Sequence, residues 1–389
     1  MPGFRVLSCA ERAGMNKKKT ERGFKFGNQE LMKNNIFMLI LAGNIGLGAP
    51  ALLAGTVTQS MPQTAMPPGT EGPLGAPAVT AAPHSDPVPI LFQPDLARCR
   101  KAVFRAVIWL NDTPVDPLDL RAHGVKGKKK LAELLDSYRR CLDAISDAGS
   151  KAEIRAQIKK AAAVTYDARY HDMGTISDLW FKQDSTSYLR VAYLLDQLGL
   201  DTTLYREEIG KVLPRLNAHM ASRGADQQRT FHNYYRHFKL TEPFPLESAL
   251  AKGYIAARTD CRAMAAPDVY NFTHEVFALY EFGDRLDARP FTDEDQRYLR
   301  EQLGALIKRF VREGNIDLVA ELVTCEQYAR LCQSPEYQDG VEFVLNGQNA
   351  DGSWGRYENE RQWMGDYVRQ GLYLHTTMVA LETVVMALP

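Results

Sequence analysis

Three polar residues interrupt three apolar segments in the C-terminal half of the chain. His274 lies in VYNFTHEVFALY, Glu321 in IDLVAELVTC and His375 in GLYLHTTMVAL. Their separations are 47 and 54 residues. An imidazole or carboxylate in an apolar helix has to be hydrogen-bonded, ion-paired or metal-bound. A core hydrogen bond explains any one of them. The near-equal spacing makes the three a candidate working set.

Two imidazoles and a carboxylate suit zinc with an open fourth position. Cys325 follows Glu321 by four residues and shares its helix face, so it is either a further zinc ligand or a buried structural thiol. Without metal, Glu321 would act as acid or base and His274 and His375 as proton carriers. Glu275 adjoins His274 but points about 100° away on a helix. A second patch, RTFHNYYRHF, packs His232, Asn233, Tyr234, Tyr235, Arg236 and His237 together. Its rings and polar groups suit a sugar pocket, and Trp354 is counted with His232 to Arg236 as a substrate-binding candidate. The plainer reading is a loop-and-helix junction with solvated polar residues. A third patch, YHDMGTISDLW, carries His171, Asp172 and Asp178.

The elements that must position these groups read as helices. Thr292 followed by Asp293, Glu294 and Asp295 gives a cap and an acidic first turn. Leu299, Leu303, Leu306 and Phe310 repeat on one face, and Gly314 is a stop. Segment 316–331 is apolar over most of its first half, 372–388 is mostly apolar, and 269–280 is apolar and aromatic. Segment 335–345 is amphipathic, and 187–200 has helical spacing. Buried and half-wet helices thus alternate with a period of about 50 residues, which predicts stacked helical hairpins. The expected fold is all-α: an α/α toroid over 95–389, with apolar helices inside and half-wet ones outside. A straight solenoid is the structural alternative. In a ring, equal register along consecutive inner helices would bring His274, Glu321 and His375 to one mouth.

The stretch Gln348-Asn349-Ala350-Asp351-Gly352-Ser353-Trp354-Gly355 resembles the Gln…Asp-Gly-Ser-Trp turn of the terpenoid-cyclase and protein-prenyltransferase superfamily of α/α toroids. Tyr373-Leu374-His375-Thr376-Thr377 is similar to the Tyr-His-Thr segment of prenyltransferase β-subunits. The resemblance covers about the last 45 residues and implies a toroid, with His375 as the counterpart of a zinc ligand. The Asp-x-Cys zinc pair and the DDxxD or DxDD motifs of that superfamily do not occur here. The RTFHNYYRHF patch is similar, in composition only, to the clefts of toroid polysaccharide lyases. Trp354 also reads as a staple between helices, and Asp351 as the cap of its turn.

The remaining signals concern location and partners. Lys and Arg total 47 and Asp and Glu total 47, so the formal net charge is zero, and nothing points to nucleic acid. The run Lys126, Lys128, Lys129, Lys130 reads as a solvated loop and helix start. Residues 1–31 read as a basic leader or over-extended start, 32–60 as a signal peptide or membrane anchor, and 61–94 as a flexible linker. Membrane contact is expected only through an uncleaved N-terminal segment. Export, periplasmic or secreted, would place the body in an oxidising compartment. Five cysteines follow: Cys99, Cys141, Cys261, Cys325 and Cys332. The odd count leaves at least one unpaired, and Cys99 with Cys141 is the suggested bridge.

Three functions are expected from these readings. The first is an exported enzyme acting on a cell-envelope glycan by hydrolysis or elimination, zinc-assisted. The second is a prenyltransferase-like or cyclase-like enzyme acting on an isoprenoid. The third is a non-catalytic binding or scaffold protein.

Overall fold

The computed structural model describes residues 94–243 and 245–388. The expected leader, the signal or anchor, and all but the last residue of the linker lie outside the described residues. Among the described residues there is no strand, and an isolated bridge pairs Gln348 with Trp354. No helix there is long and apolar enough to cross a membrane.

Fourteen α-helices are formed among the described residues. They are α1 (Leu96–Asn111), α2 (Pro117–Ala122), α3 (Gly127–Ala144), α4 (Ala148–Ala162), α5 (Asp178–Gln197), α6 (Thr203–Ala221) and α7 (Ala225–Phe238). There follow α8 (Leu246–Leu250), α9 (Ala266–Leu279), α10 (Asp293–Glu313), α11 (Ile316–Tyr328), α12 (Pro335–Asn346), α13 (Glu358–Met364) and α14 (Leu374–Met386).

Local signals set most of the ends. Thr292 and Asp295 form a reciprocal capping box on α10, and Gly314 ends that helix at φ +72°. Asn315 and Ser334 cap α11 and α12 through their side chains. The helix expected over 187–200 begins earlier, at Asp178, because the Ser177 side chain accepts from the Trp180 amide.

The packing order is closed. Helices α3, α5, α7, α9, α11 and α14 each pack on the next, and α14 packs back on α3. Helices α1, α4, α6, α8, α10 and α12 lie against this inner set. Six helical hairpins with a closed inner ring fit the α/α toroid expected from the alternation. Neighbouring inner helices run in the same direction, since their paired residues ascend together. Early in the helices, Tyr270 meets Asp317 and Glu133 meets His375. Late in them, Arg140 meets Glu382.

Close approach between the rings depends on a missing side chain. A Cβ on Gly340 of α12 would stand 2.5 Å from Val323 Cγ2 on α11 and 3.2 Å from Ile307 Cγ2 on α10. Gly340→Leu is therefore expected to destabilise the fold by about 1–3 kcal/mol through overpacking. A fall of several degrees in thermal midpoint would show it; an unchanged midpoint would mean that α12 shifts freely.

Three expectations need correction. The Lys126–Lys130 run is a helix start, as expected, but not a solvated one. Lys128 and Lys130 are buried, with Lys128 Nζ 2.6 Å from Asp172 and Lys130 Nζ 2.7 Å from Glu133. Inner helices are not uniformly apolar: α11 buries Asp317, Glu321 and Glu326 among its apolar residues, and α3 buries Lys128, Lys130, Glu133, Asp136 and Arg140. Asp136 and Arg140 meet opposite charges on other inner helices, Arg190 of α5 and Glu382 of α14, whereas Lys128 pairs with Asp172 in the segment before α5 and Lys130 with Glu133 of its own helix. Lastly, Cys99 and Cys141 form no bridge, and all five cysteines from Cys99 onward are free. Cys99 and Cys141 pack in the hydrophobic core as small apolar side chains, and burial pushes the Cys141 thiol up to about 12.

Candidate functional site

His274, Glu321 and His375 stand on three consecutive inner helices, α9, α11 and α14. The structure brings them together. Glu321 Oε1 lies 3.8 Å from His274 Nε2 and 3.8 Å from His375 Nε2. The two imidazoles are 23% and 21% exposed, whereas Glu321 is 1% exposed. The carboxylate thus sits behind two rings that solvent can reach. Thr273 donates its hydroxyl to Glu321 Oε2 at 2.5 Å.

Two carboxylates that the sequence did not single out complete the cluster. Asp317 precedes Glu321 by one helical turn, and its Oδ2 lies 3.8 Å from His375 Nε2. It accepts hydrogen bonds from Tyr270 Oη at 2.5 Å and from Thr376 Oγ1 at 2.7 Å. Glu133 of α3 is wholly buried, and its Oε1 lies 3.0 Å from His375 Nδ1. A π-helical turn, Arg369–Tyr373, leads directly into α14 and sets the entry angle of His375, the second residue of that helix.

The local charge is unbalanced. Burial pushes the Glu133 carboxyl up, but Lys130, His375 and Lys129 outweigh it and hold it well below the usual carboxylate range. Burial also raises Glu321, and His274 and His375 outweigh that effect, so Glu321 stays low as well. Lys130 and Lys129 lie nearest Glu133. Among the described residues, Asp317 and Glu321 have only imidazoles as partners within ion-pair distance. Two carboxylates facing only imidazoles leave room for further positive charge.

The donor atoms fit a divalent ion. One atom each of Asp317, Glu321 and His375 lies within 4.8 Å of the others. A 3.8 Å gap is too long for a hydrogen bond, and it is close to the spread of two ligands around one ion bonded at about 2.0–2.2 Å. His375 has its other ring nitrogen on Glu133, the second-layer carboxylate that metal-binding histidines commonly have.

Cys325 is not in this donor set. Its thiol is fully buried, contacts the Thr273 carbonyl at 3.7 Å, and is pushed well up by burial. Sharing a helix face with Glu321 did not bring it to the same point. Glu275 also turns away, accepting from the Tyr254 amide at 2.6 Å.

The second patch is a continuous helix, α7, and its side chains diverge. His232 Nδ1 lies 2.8 Å from Glu242, Asn233 donates to the Ala278 carbonyl at 2.8 Å, and Tyr235 donates to Asn217 at 2.9 Å. Arg236 pairs with Glu281, and His237 Nε2 lies 2.8 Å from Asp196. Asn233 and Tyr234 line a small hollow with Asp136, Arg139 and Arg190, near the C-terminal ends of the inner helices. These residues do not form one sugar-stacking surface.

Trp354 is 0% exposed and donates its indole N–H to the Val344 carbonyl at 2.8 Å. No face of the ring is open to a ligand. Its turn ties α1, α12 and α14 together. Gln348 reaches the Ala102 carbonyl at 2.9 Å, and the Trp354 amide reaches Thr377 Oγ1 at 3.1 Å. Gly352, at φ +99°, brings the turn so near Arg105 that a Cβ would lie 2.2 Å from its carbonyl oxygen. Asp351 caps the turn by accepting from the Ser353 amide at 3.0 Å.

In the third patch, His171 is held between Tyr188 Oη and the Thr165 carbonyl, each at 2.6 Å. Asp172 pairs with Lys128 and Arg121, and Asp178 pairs with Arg215. All three have structural partners.

No curated protein and no solved structure matches the chain. Residues 131–384, from the second turn of α3 to near the end of α14, match the family described as a domain of unknown function (DUF6895), and the chain belongs to that family.

Proposed function

We propose that the chain is an exported enzyme acting on a cell-envelope glycan by hydrolysis or elimination. Asp317, Glu321 and His375 would hold a divalent ion, with zinc the best suited, and His274 stands beside them. One observation carries this reading. His375 has Nδ1 3.0 Å from the buried Glu133, and Nε2 3.8 Å from both Asp317 and Glu321.

Each side chain has a task in this reading. Glu133 would keep the Nδ1–H of His375 facing its carboxylate and leave Nε2 with its lone pair toward Asp317 and Glu321. Lys130 offsets the charge on Glu133. Thr273 and Thr376 fix the rotamers of Glu321 and Asp317. His274, partly exposed and next to Glu321, can carry a proton to or from a bound substrate. A divalent ion would supply Lewis acidity at a substrate oxygen. The surroundings are ionisable and hydroxyl side chains, which suit a polar substrate better than an isoprenoid chain.

Metal analysis of the full chain tests the reading. Stoichiometric zinc is expected in the wild type and none in His375→Ala. Glu133→Gln is expected to weaken zinc binding about 10–100-fold, since it removes only the outer carboxylate. A chain that binds no divalent ion, turns over no glycan and gains stability in Glu321→Gln would be a scaffold with a buried polar network.

A further inference from the structure

Shortly after α9, Glu281, Phe282 and Gly283 have φ of +50°, +54° and +88°. Glycine takes that region freely, but glutamate and phenylalanine do not. Such backbone persists only where its surroundings over-determine it. Here the surroundings are the C-terminal ends of the inner helices, and residues 281–284 lie across them. Arg140 of α3 donates to the Phe282 carbonyl. The Asp284 carboxylate accepts from Arg139 of α3 and from Tyr193 Oη of α5. The Phe282 ring lies 5.4 Å from the Arg190 guanidinium of α5, and Glu281 pairs with Arg236 of α7.

The segment supplies a charge that the ring lacks. Arg139, Arg140 and Arg190 meet Asp136, Asp284 and Glu382. Asp136 and Glu382 belong to inner helices, whereas Asp284 arrives with the segment. Without Asp284, three guanidiniums would face two carboxylates, and Arg139 and Tyr193 would still converge on the point it vacates. Beside the segment a hollow of about 20 Å³ remains, lined by Asp136, Arg139, Arg190, Tyr193, Asn233 and Tyr234. That is room for one water, so a larger guest fits only by taking the segment's place. The segment is free to yield that place: 281–284 are half-buried, and 285–287, which follow, are exposed.

We propose that the C-terminal mouth of the ring is a second ligand site, for a carboxylate borne on a flat apolar group, which residues 281–284 occupy as a displaceable internal ligand. The guest's carboxylate would take the place of Asp284 on Arg139 and Tyr193. Its flat group would take the place of the Phe282 ring beside Arg190. The site lies one helical turn beyond Glu133 on α3, at the end of the ring away from His375.

The test is calorimetric titration of the full chain with 3-phenylpropionate, a carboxylate two carbons from a ring, and with its uncharged amide. Asp284→Ala removes the internal carboxylate. Gly283→Ala keeps it, but at φ +88° the added Cβ would stand 2.5 Å from Tyr328 Oη and 2.8 Å from Arg140 Nη2, which unseats the segment. Both variants are expected to bind the carboxylate about tenfold or more tightly than the wild type, because the closed state no longer competes. The amide should bind none of the three chains. In the wild type, saturating carboxylate should speed amide hydrogen exchange across 281–288 as the segment is driven out. Equal binding of the amide, a gain in affinity in neither variant, or unchanged exchange in the wild type would overturn the proposal.

Discussion

Asp136→Asn is expected to lower the unfolding free energy by about 3 kcal/mol, the lower end of the range for breaking a buried ion pair. Asp136 of α3 is 2% exposed and lies 2.5 Å from Arg190 and 3.0 Å from Arg139, with Arg140 at 3.9 Å. Burial pushes its carboxyl up, yet Arg190, Arg139 and Arg140 outweigh that and hold it far below the usual range. The lower end applies because two arginines keep a second partner. Arg139 also pairs with Asp284, and Arg140 lies 3.1 Å from Glu382. Among the described residues no other carboxylate lies within ion-pair distance of Arg190; Met378 Sδ at 3.8 Å and the Phe282 ring at 5.4 Å remain beside it. Urea unfolding at neutral pH gives the number. The further change Arg190→Met should restore part of the loss, since the orphaned charge goes with it. A loss under 1 kcal/mol would mean that Arg190 escapes to water.

The same network shows why part of the molecule was legible in the sequence and part was not. The register of His274, Glu321 and His375 was readable because each interrupts an apolar helix, where a polar residue stands out. Helix α3 offered no such contrast. Its Lys128, Lys130, Glu133, Asp136 and Arg140 recur at helical spacing, as the wet face of a surface helix would. Only closure of the ring, with α14 packed on α3, turns that face inward. Glu133 and Lys130 were therefore invisible as site residues. Asp317 was missed for another reason: an acidic residue in the first turn of a helix is already explained by the helix dipole. The aromatic density of α7 was real, but a helix scatters consecutive side chains about 100° apart, so it could not form one surface. The alternation of helices and the cap and stop of α10 rest on local chemistry, and those were readable.

Glu326 supplies the second large effect, and it depends on pH. It is wholly buried on α11; Oε2 accepts from Ser334 Oγ at 3.3 Å, and Oε1 has no hydrogen-bond partner. Burial, with a smaller push from Glu336 and against the Ser334 hydrogen bond, raises its carboxyl to about 8. An unfolded glutamate titrates near 4.5. Between those values the folded chain holds a proton that the unfolded chain has released, so stability contributed by this group falls as pH rises. The slope approaches about 1.4 kcal/mol per pH unit, and the loss is complete above pH 8. Glu326→Gln keeps the shape and the acceptor for Ser334 without an ionisable proton. It is expected to match the wild type near pH 4.5 and to exceed it by a few kcal/mol at pH 8. Other buried groups titrate in the same range, Asp184 near 6 and His219 near 4, but they are common to both chains and cancel in the difference. Parallel unfolding curves across pH 4.5–8 would show that Glu326 enters the fold already solvated or paired. Curves that diverge steadily with pH would show that α11 carries a protonated carboxyl in its core, one turn beyond the Glu321 that the site keeps ionised.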